Sequence, residues 1–159
     1  MSAEIWWLLA VVILLIVASA FFSSAETALT AASDARMRQL AIKGNRRALL
    51  VEKLRADREG LIGTILIGNN AVNVIASALA TSVAISLFQG AGLLWATLTM
   101  TVVLVIFAEV MPKTYAFTYS DKYALAIAPA IRVVVVVLNP LAVGLRFLAS
   151  LLIRKNDEQ

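Results

Sequence analysis

The sequence predicts an all-α membrane protein with three spanning helices, because it is strongly apolar and its apolar residues form long runs. Of the 159 residues, 61% are hydrophobic and 15% are charged, and the mean hydropathy is +0.87. Soluble domains of this length are less apolar. A helix needs about 20 mainly apolar residues to cross a bilayer. Three runs meet this length and predict spans at about 5–32, 61–88 and 93–117, within a single transmembrane domain, 1–159.

The first apolar run is expected to be a retained helix and not a secretory signal. It follows Met-Ser-Ala-Glu, a start that has the acidic Glu4 and no Lys or Arg. A signal peptide would begin with basic residues and end a short apolar core at a small-residue cleavage site. The run from Ile5 to Phe22 is instead about as long as a span.

A basic segment, 34–59, follows the first span and predicts two short amphipathic helices. It has eight Lys or Arg residues against four acids. Its apolar residues recur at helical spacing on both sides of a break at Gly44-Asn45. Two interpretations stay open: a solvated helix pair, or a dedicated site for anionic lipid.

The distribution of cations orients the chain, because short loops rich in Lys and Arg stay in the cytoplasm. Segment 34–59 is therefore expected inside, as are Lys113, at the end of the third span, and Lys122 after it. The N-terminus and the uncharged turn Gln89–Gly92 would then lie outside. The expected location is a plasma or inner membrane, with the C-terminus cytoplasmic.

The last apolar segment, 123–153, predicts a pair of juxtamembrane helices. Asn139-Pro140 divides it into pieces of about 16 and 13 residues, which are too short to cross. A single crossing would also place Arg154-Lys155 outside, against the positive-inside rule. A fourth span is the alternative.

The sequence has no cysteine and no histidine. This excludes disulfides, thiolate or imidazole metal sites, Ser-His-Asp triads and cysteine nucleophiles. A metal held by side chains must therefore be held by oxygen, which favours hard cations such as Mg²⁺, Ca²⁺ or Na⁺. The net charge of +4 does not indicate nucleic-acid binding, because the cations cluster beside apolar runs.

Polar residues within the three predicted spans fall at a similar depth. With a rise of about 1.5 Å per residue, Ser23 and Ser24 lie about 27 Å from the outer start of the first span. Asn69 and Asn70 lie about 13 Å from the inner start of the second, and Glu109 about 24 Å from the outer start of the third. In a hydrocarbon core of about 30 Å, these sets share the cytoplasmic half, within about two helical turns of one another.

Glu109 is the leading candidate, because a carboxylate within a span costs about 2.5 kcal/mol or more to insert and is usually functional. The structural alternative is an intrahelical pair with Lys113 in the favourable i,i+4 order. Pro112 argues against that pair because it disturbs the turn, and it also leaves the carbonyl of Ala108 without its usual N–H donor. A carboxylate beside a free carbonyl suits a cation.

Three asparagines and two serines extend this candidate site. Asn69 and Asn73 share a helix face at i,i+4, and Asn70 lies about 100° away. Their alternative role is to join helices by hydrogen bonds. The alternative for Ser23 and Ser24 is a bond back to a carbonyl of their own helix.

Three motifs together resemble the transmembrane domain of the CorC/CNNM family, also called domain of unknown function 21. They are Phe-Phe-Ser-Ser-Ala-Glu-Thr-Ala-Leu at 21–29, Gly-Asn-Asn-Ala-Val-Asn at 68–73 and Glu-Val-Met-Pro-Lys-Thr at 109–114. The resemblance covers nearly the whole chain. It implies a homodimer with three spans per subunit, a cytoplasmic helix pair after the first span and a juxtamembrane belt helix after the third.

The resemblance also implies a function, the transport of Mg²⁺, generally as export driven by Na⁺ entry. The implied ligands are Ser23, Ser24, Asn70 and Glu109, with Asn69 and Asn73 in support. Members usually continue into cytoplasmic CBS domains that bind ATP; these are expected to be absent from this sequence. The alternative function is a non-transporting membrane regulator that senses Mg²⁺. An enzyme is not expected, because a lone carboxylate among hydroxyls has no activated nucleophile.

Overall fold

The computed structural model describes residues 3–88 and 92–154, and the regular elements there are all helices, which confirms the all-α class. The turn predicted at Gln89–Gly92 lies, except for Gly92, outside the described residues. In chain order the elements are α1 (Ala3–Ala31), α2 (Asp34–Ile42), α3 (Arg46–Ala56), α4 (Arg58–Leu87), α5 (Gly92–Val103), a π-helical segment (Leu104–Val110), α6 (Met111–Thr118) and α7 (Ser120–Arg154).

The short helices α2 and α3 meet at a glycine turn. Gly44 has a φ of +85°, a left-handed conformation that glycine adopts without a steric penalty. Its N–H donates to the carbonyl of Ala41 at 2.9 Å, and the N–H of Asn45 donates to Leu40 at 3.0 Å, a pattern that ends many helices. The Asn45 side chain then accepts from two N–H groups in the first turn of α3. One Gly-Asn pair thus ends one helix and begins the next.

Helix α1 lies at the centre of the fold and contacts α4, the π-helical segment, α6 and α7. Small side chains let neighbouring helices approach closely, and such packing is a main source of helix association in lipid. The fully buried residues of α1 include Ser19, Ser23, Ala25 and Ala28. The larger buried side chains gather near the end of α1 and include Leu29, Met37, Val51, Ile65 and Ile131.

Arg55 ties the helix pair α2–α3 to the end of α1. Its side chain is only 9% exposed and lies 2.9 Å from a carboxylate oxygen of Asp34. The same guanidinium donates to the carbonyl of Ala32 at 2.9 Å, in the stretch where helix carbonyls lose their intrahelical donors. On the other side, Asp121 of α7 accepts from the N–H of Ser33 at 2.8 Å. The α1–α2 junction is therefore held by both α3 and α7.

The third long helix changes its hydrogen-bond register just before a proline. Helix α5 continues through the π-helical segment into α6 without a break. The N–H of Met111 donates to the carbonyl of Ile106, five residues back, as in a π-helix. Pro112 follows inside this continuous helix and has no N–H to donate to the carbonyl of Ala108, four residues back. Glu109 thus lies in a π-helical turn, a feature frequent at functional sites.

The prediction of two juxtamembrane helices at 123–153 is wrong, because the single helix α7 covers this segment. It is one helix of 35 residues that continues through Pro129 and Pro140. A proline inside a helix costs about 3 kcal/mol, since it removes one hydrogen bond and crowds a carbonyl. A break in apolar surroundings would free more backbone groups, at several kcal/mol each. The cost of Pro140 inside a helix favours two helices, but the cost of the unpaired backbone groups at a break is larger and favours one.

Four helices of the described chain are long and apolar enough to cross a membrane, one more than the three predicted spans. They are Glu4–Ala31, Arg58–Leu87, Leu93–Thr118 and Ser120–Leu145. The fourth is part of α7, so the length argument against a fourth span no longer applies. By length and composition, the chain is a multi-pass membrane protein in which α7 packs against α1, α3 and α4.

Gly68 is predicted to be required for the close contact between α1 and α4. A β-carbon at Gly68 would lie 2.8 Å from two ring carbons of Phe22 and 3.3 Å from Leu138. Replacing Gly68 with Leu should therefore cost about 1–3 kcal/mol through overpacking. Thermal unfolding in detergent should show a melting temperature lower by about 2–4 °C for each kcal/mol. Gly63→Leu is the matched control, because the space beyond Gly63 is open. An equal loss in both variants would contradict this account.

Candidate ion-binding site

The polar side chains of α1 and α4 meet through a hydrogen bond from Ser19 to Asn69. The hydroxyl of the fully buried Ser19 donates to Oδ1 of Asn69 at 2.9 Å. Further along α1, Phe22 meets Gly68, which comes earlier on α4. The two helices therefore run antiparallel, and the Ser19–Asn69 bond defines their register.

An ion pair connects α1 to α6. Nζ of Lys113 lies 3.9 Å from Oε2 of Glu26, and both side chains are partly exposed. The sequence-based alternative, in which Lys113 pairs with Glu109 on its own helix, is not the arrangement in the structure. Glu109 makes no ion pair with any residue whose side chain the structure describes. Lys113 is thus engaged by α1, and the carboxylate of Glu109 is available to another cation.

Ser23 is buried between these two contacts without a hydrogen-bond partner. Its side chain is fully buried, and its Oγ makes no hydrogen bond to the described part of the chain. It lies four residues after Ser19 and three before Glu26, so the three residues share one face of α1. An unsatisfied buried hydroxyl costs about 1–3 kcal/mol, so its presence calls for an explanation. The position of Ser23 between α4 and α6 makes it the first candidate ligand.

Ser24 is already engaged by α7. Its hydroxyl lies 2.9 Å from the hydroxyl of Tyr123, and it donates to the carbonyl of Phe21 at 3.0 Å. The bond to Phe21, on its own helix, is the role that the sequence allows for this serine as an alternative to ion binding. To act as an ion ligand, Ser24 would have to exchange these partners.

Asn73 also has a buried oxygen without a partner, but it lies away from Ser23. No described residue donates to its Oδ1. Because α1 and α4 are antiparallel, Ser23 and Asn73 lie on opposite sides of the Ser19–Asn69 bond, each about one turn away. They are therefore separated by about 12 Å along the helix axes. One Mg²⁺, whose ligands stand about 2.0–2.1 Å away, cannot bind both.

Asn70 and Glu109 are both exposed on the surface of the single chain. Asn70 points about 100° away from Asn69 and so away from the α1 contact. Helix α5 packs against α4 after a short connection, so it is antiparallel to α4 and parallel to α1. Glu109 precedes Lys113 by about one turn, and Lys113 pairs with Glu26. Glu109 therefore lies near the level of Ser23.

The polar atoms of this region suit a hard cation. They are hydroxyl, amide and carboxylate oxygens, which Mg²⁺ and Ca²⁺ prefer. Within the described ranges, no group of three or more acidic residues is placed to hold a metal. With one carboxylate at the level of Ser23, this region has a low ligand charge. A site with fewer charged ligands binds divalent cations more weakly, so this site is suited to weak and reversible binding.

Two residues of this region were missed by sequence reasoning, Ser19 and Tyr123. Ser19 precedes Ser23 by four residues, and that spacing was a signal for it. Tyr123 lies 99 residues from Ser24, and no pattern in the sequence relates the two.

Comparison with known protein families assigns the chain to a family of membrane domains. Residues 10–159 match the cyclin M transmembrane N-terminal domain, CNNM. The chain belongs to the CNNM family. The match confirms the resemblance of the three motifs to the CorC/CNNM type of membrane domain, and Ser23, Asn70 and Glu109 all lie inside the matched range.

Relatives of this CNNM domain occur in bacteria and plants. The chain is 46% identical to the UPF0053 inner membrane protein YfjD of Escherichia coli (strain K12) over 102 residues, which are 64% of the chain and 24% of that protein. It is 40% identical to a UPF0053 protein of Haemophilus influenzae over 100 residues, 63% of the chain and 24% of that protein. A chloroplast DUF21 domain-containing protein of Arabidopsis thaliana is 36% identical over 102 residues, 64% of the chain and 16% of that protein. The matched part of the chain thus covers about a quarter of the bacterial relatives.

The Ser19–Asn69 bond is predicted to stabilise the α1–α4 pair by about 0.6 kcal/mol, with about 1.7 kcal/mol as the upper value for such bonds between membrane helices. A double-mutant cycle of Ser19→Ala and Asn69→Ala, followed by unfolding in detergent, should show a coupling of this size. The matched control is the cycle of Ser19→Ala with Asn70→Ala, which should show none because Asn70 is exposed. Equal coupling in the two cycles would refute the pairing.

Proposed function

We propose that this CNNM domain transports Mg²⁺ across a membrane, with the buried hydroxyl of Ser23 as a ligand. The observation that carries the proposal is the unpartnered Oγ of Ser23, fully buried near the level of Glu109. The carboxylate of Glu109 supplies the negative charge and Ser23 supplies a neutral oxygen, while Asn70 would have to turn from the exposed face of α4 to supply another. Mg²⁺ prefers six oxygens in octahedral geometry and keeps several waters, so three protein ligands are enough for a partly hydrated ion.

The other three predicted ligands take supporting roles in the proposal. Ser24 and Asn69 already have hydrogen-bond partners, in α7 and α1, which they would exchange for the ion. Asn73 lies about 12 Å from Ser23 along the helices, so it would serve an ion at a different point of the path. The oxygens of Ser23 and Asn73, which have no partner among the described residues, lie on either side of the Ser19–Asn69 bond. They suit two successive binding positions, because an ion moves through a protein by binding weakly at several sites in turn.

The exposure of Glu109 and Asn70 supports a homodimer. On a lone chain these two side chains would face lipid, where a carboxylate costs about 2.5 kcal/mol or more. A second copy packed over this face of α4 and the π-helical segment would remove both from lipid. A two-fold axis at that contact would place two equivalent ion sites near each other.

The proposed topology has three spans, with α7 at the cytoplasmic surface. The spans are α1, α4 and the helix formed by α5 and α6. The cations of α2 and α3 keep these helices in the cytoplasm, so the N-terminus lies outside a plasma or inner membrane and the C-terminus inside. Arg132, in the first half of α7, lines the same groove as Arg46 and Arg47 of α3. That contact supports a position of α7 along the membrane surface.

Mg²⁺ export driven by Na⁺ entry is the proposed reaction, since the sequence has no Gly-rich phosphate loop for nucleotide hydrolysis. The test uses the purified chain in proteoliposomes that contain a Mg²⁺-sensitive dye. An imposed Na⁺ gradient should move Mg²⁺ in the opposite direction, and Glu109→Gln should abolish the flux. Mg²⁺ binding without flux under any gradient would establish the alternative, a Mg²⁺-sensing regulator. Absence of both binding and flux would refute both functions.

Ser23→Ala and Ser24→Ala are predicted to separate ion binding from stability. Ser23 has no hydrogen bond to lose, so its alanine variant should unfold at the same or a higher temperature. Its Mg²⁺ affinity should fall by about ten-fold or more, the loss found even for outer partners of metal ligands. Ser24→Ala loses the bond to Tyr123 and should cost about 0.5–1.5 kcal/mol of stability. Titration calorimetry and thermal unfolding measure the two effects. Unchanged Mg²⁺ affinity in Ser23→Ala would exclude Ser23 as a ligand.

A further inference from the structure

A groove between α3 and α7 gathers four cations and no acid. It has a volume of about 410 Å³. We call it the cationic groove, after the four basic residues that line it: Arg46, Arg47, Lys53 and Arg132. All four are exposed, and none pairs with an acidic side chain in residues 3–88 and 92–154. Asp34 and Glu52 instead line a separate cavity between α2 and α3. That cavity is also lined by Arg38, Arg55 and Arg58, so its charges are mixed, whereas the charged residues that line the cationic groove are all basic.

Two of these cations stand where the helix itself disfavours them. Arg46 and Arg47 occupy the first turn of α3, which has no acidic residue. The N-terminus of a helix carries a partial positive charge, so cations there are unfavourable. The helix dipole, the two arginines and the remaining cations of the groove therefore add to one positive potential. A bound anion would neutralise this potential. Residues that are unfavourable for their local structure, such as arginines at a helix N-terminus, are expected at functional sites.

An apolar groove continues from the cationic groove along α7. Leu50, Pro129 and Arg132 line both. The apolar part has a volume of about 390 Å³ and is completed by Val133, Val136 and Val137, which are 62%, 67% and 66% exposed. The combined surface is positively charged at one end and purely aliphatic at the other.

We propose that these two grooves bind an anionic phospholipid, with its phosphate against the four cations and an acyl chain along the valines. Arg and Lys hold phosphate by charge-assisted hydrogen bonds, and basic pockets at the cytoplasmic side of membrane proteins bind such headgroups. The aliphatic continuation selects a lipid over a soluble phosphate. The inference uses the proposed position of α7 at the membrane surface but not Mg²⁺ transport. It is tested without Mg²⁺, so its failure is distinguishable from failure of the transport proposal.

The principal test is Arg46→Gln/Arg47→Gln in the purified chain in nonionic detergent. Binding of short-chain phosphatidylglycerol is titrated by thermophoresis. Each cation near an anionic lipid contributes about 1 kcal/mol, or about five-fold, so the double variant should bind about 25-fold more weakly. Because it removes cations from a helix N-terminus, its melting temperature should stay the same or rise. A purely structural role of the two arginines would instead lower the melting temperature.

Controls separate the lipid from other anions and from net charge. Arg38→Gln/Arg58→Gln makes the same change in charge in the other cavity and should alter affinity by less than about two-fold. Lys53→Gln/Arg132→Gln, at the other side of the cationic groove, should repeat the loss of the principal variant. Phosphatidylcholine of equal chain length and glycerol phosphate should both bind more weakly than phosphatidylglycerol. Equal losses in the groove and control variants, or equal binding of glycerol phosphate, would overturn the proposal.

Discussion

Close packing of α1 against α4, the π-helical segment, α6 and α7 is the constraint on which the rest of the structure depends. Lipid supplies no hydrophobic force between helices, so their association needs tight packing and interhelical hydrogen bonds. The small buried residues of α1 allow tight packing, and Gly68 allows α4 to approach α1 closely. Because α1 has neighbours on several sides, the position of each polar residue along and around the helix decides its partner. Ser19 reaches α4, Ser24 reaches α7 and Glu26 reaches α6.

The same packing explains how the Ser23 hydroxyl stays without a hydrogen-bond partner among the residues that the structure describes. Asn69 of α4 bonds to Ser19 and Lys113 of α6 pairs with Glu26, so these two polar side chains that contact α1 are already engaged. Alanine at this position would pack as closely and would avoid the cost of about 1–3 kcal/mol for an unsatisfied hydroxyl. The serine therefore adds nothing to the stability of the described fold. Under the proposed function, this hydroxyl binds a transported cation, a partner that is bound only part of the time.

Local signals in the sequence were sufficient for the helices and the family, but not for the contacts between helices. Hydropathy predicted the long helices, and the motifs around Ser23, Asn70 and Glu109 predicted the CNNM family, which the comparison confirmed. The Ser24–Tyr123 contact joins residues 99 positions apart and depends on how the helices pack. Nothing in the sequence of 34–59 distinguishes Arg55 from the other basic residues there, yet its side chain is nearly buried at the end of α1. The continuity of α7 was missed because apolar surroundings change the cost of a helix break.

The continuity of α7 also connects the two proposed sites. Tyr123 bonds to Ser24, Leu138 lies beside Gly68, and Arg132 lines the cationic groove between these two positions on the helix. This one helix therefore carries contacts to the lipid groove and to two of the helices of the ion site, α1 and α4. A lipid that shifts α7 changes the surroundings of Ser24 and Gly68 at the same time. Coupling free energies are reciprocal, so an ion that moves α7 would change lipid affinity by the same factor. All three residues precede Asn139, so this connection depends on the continuity of α7 through Pro129.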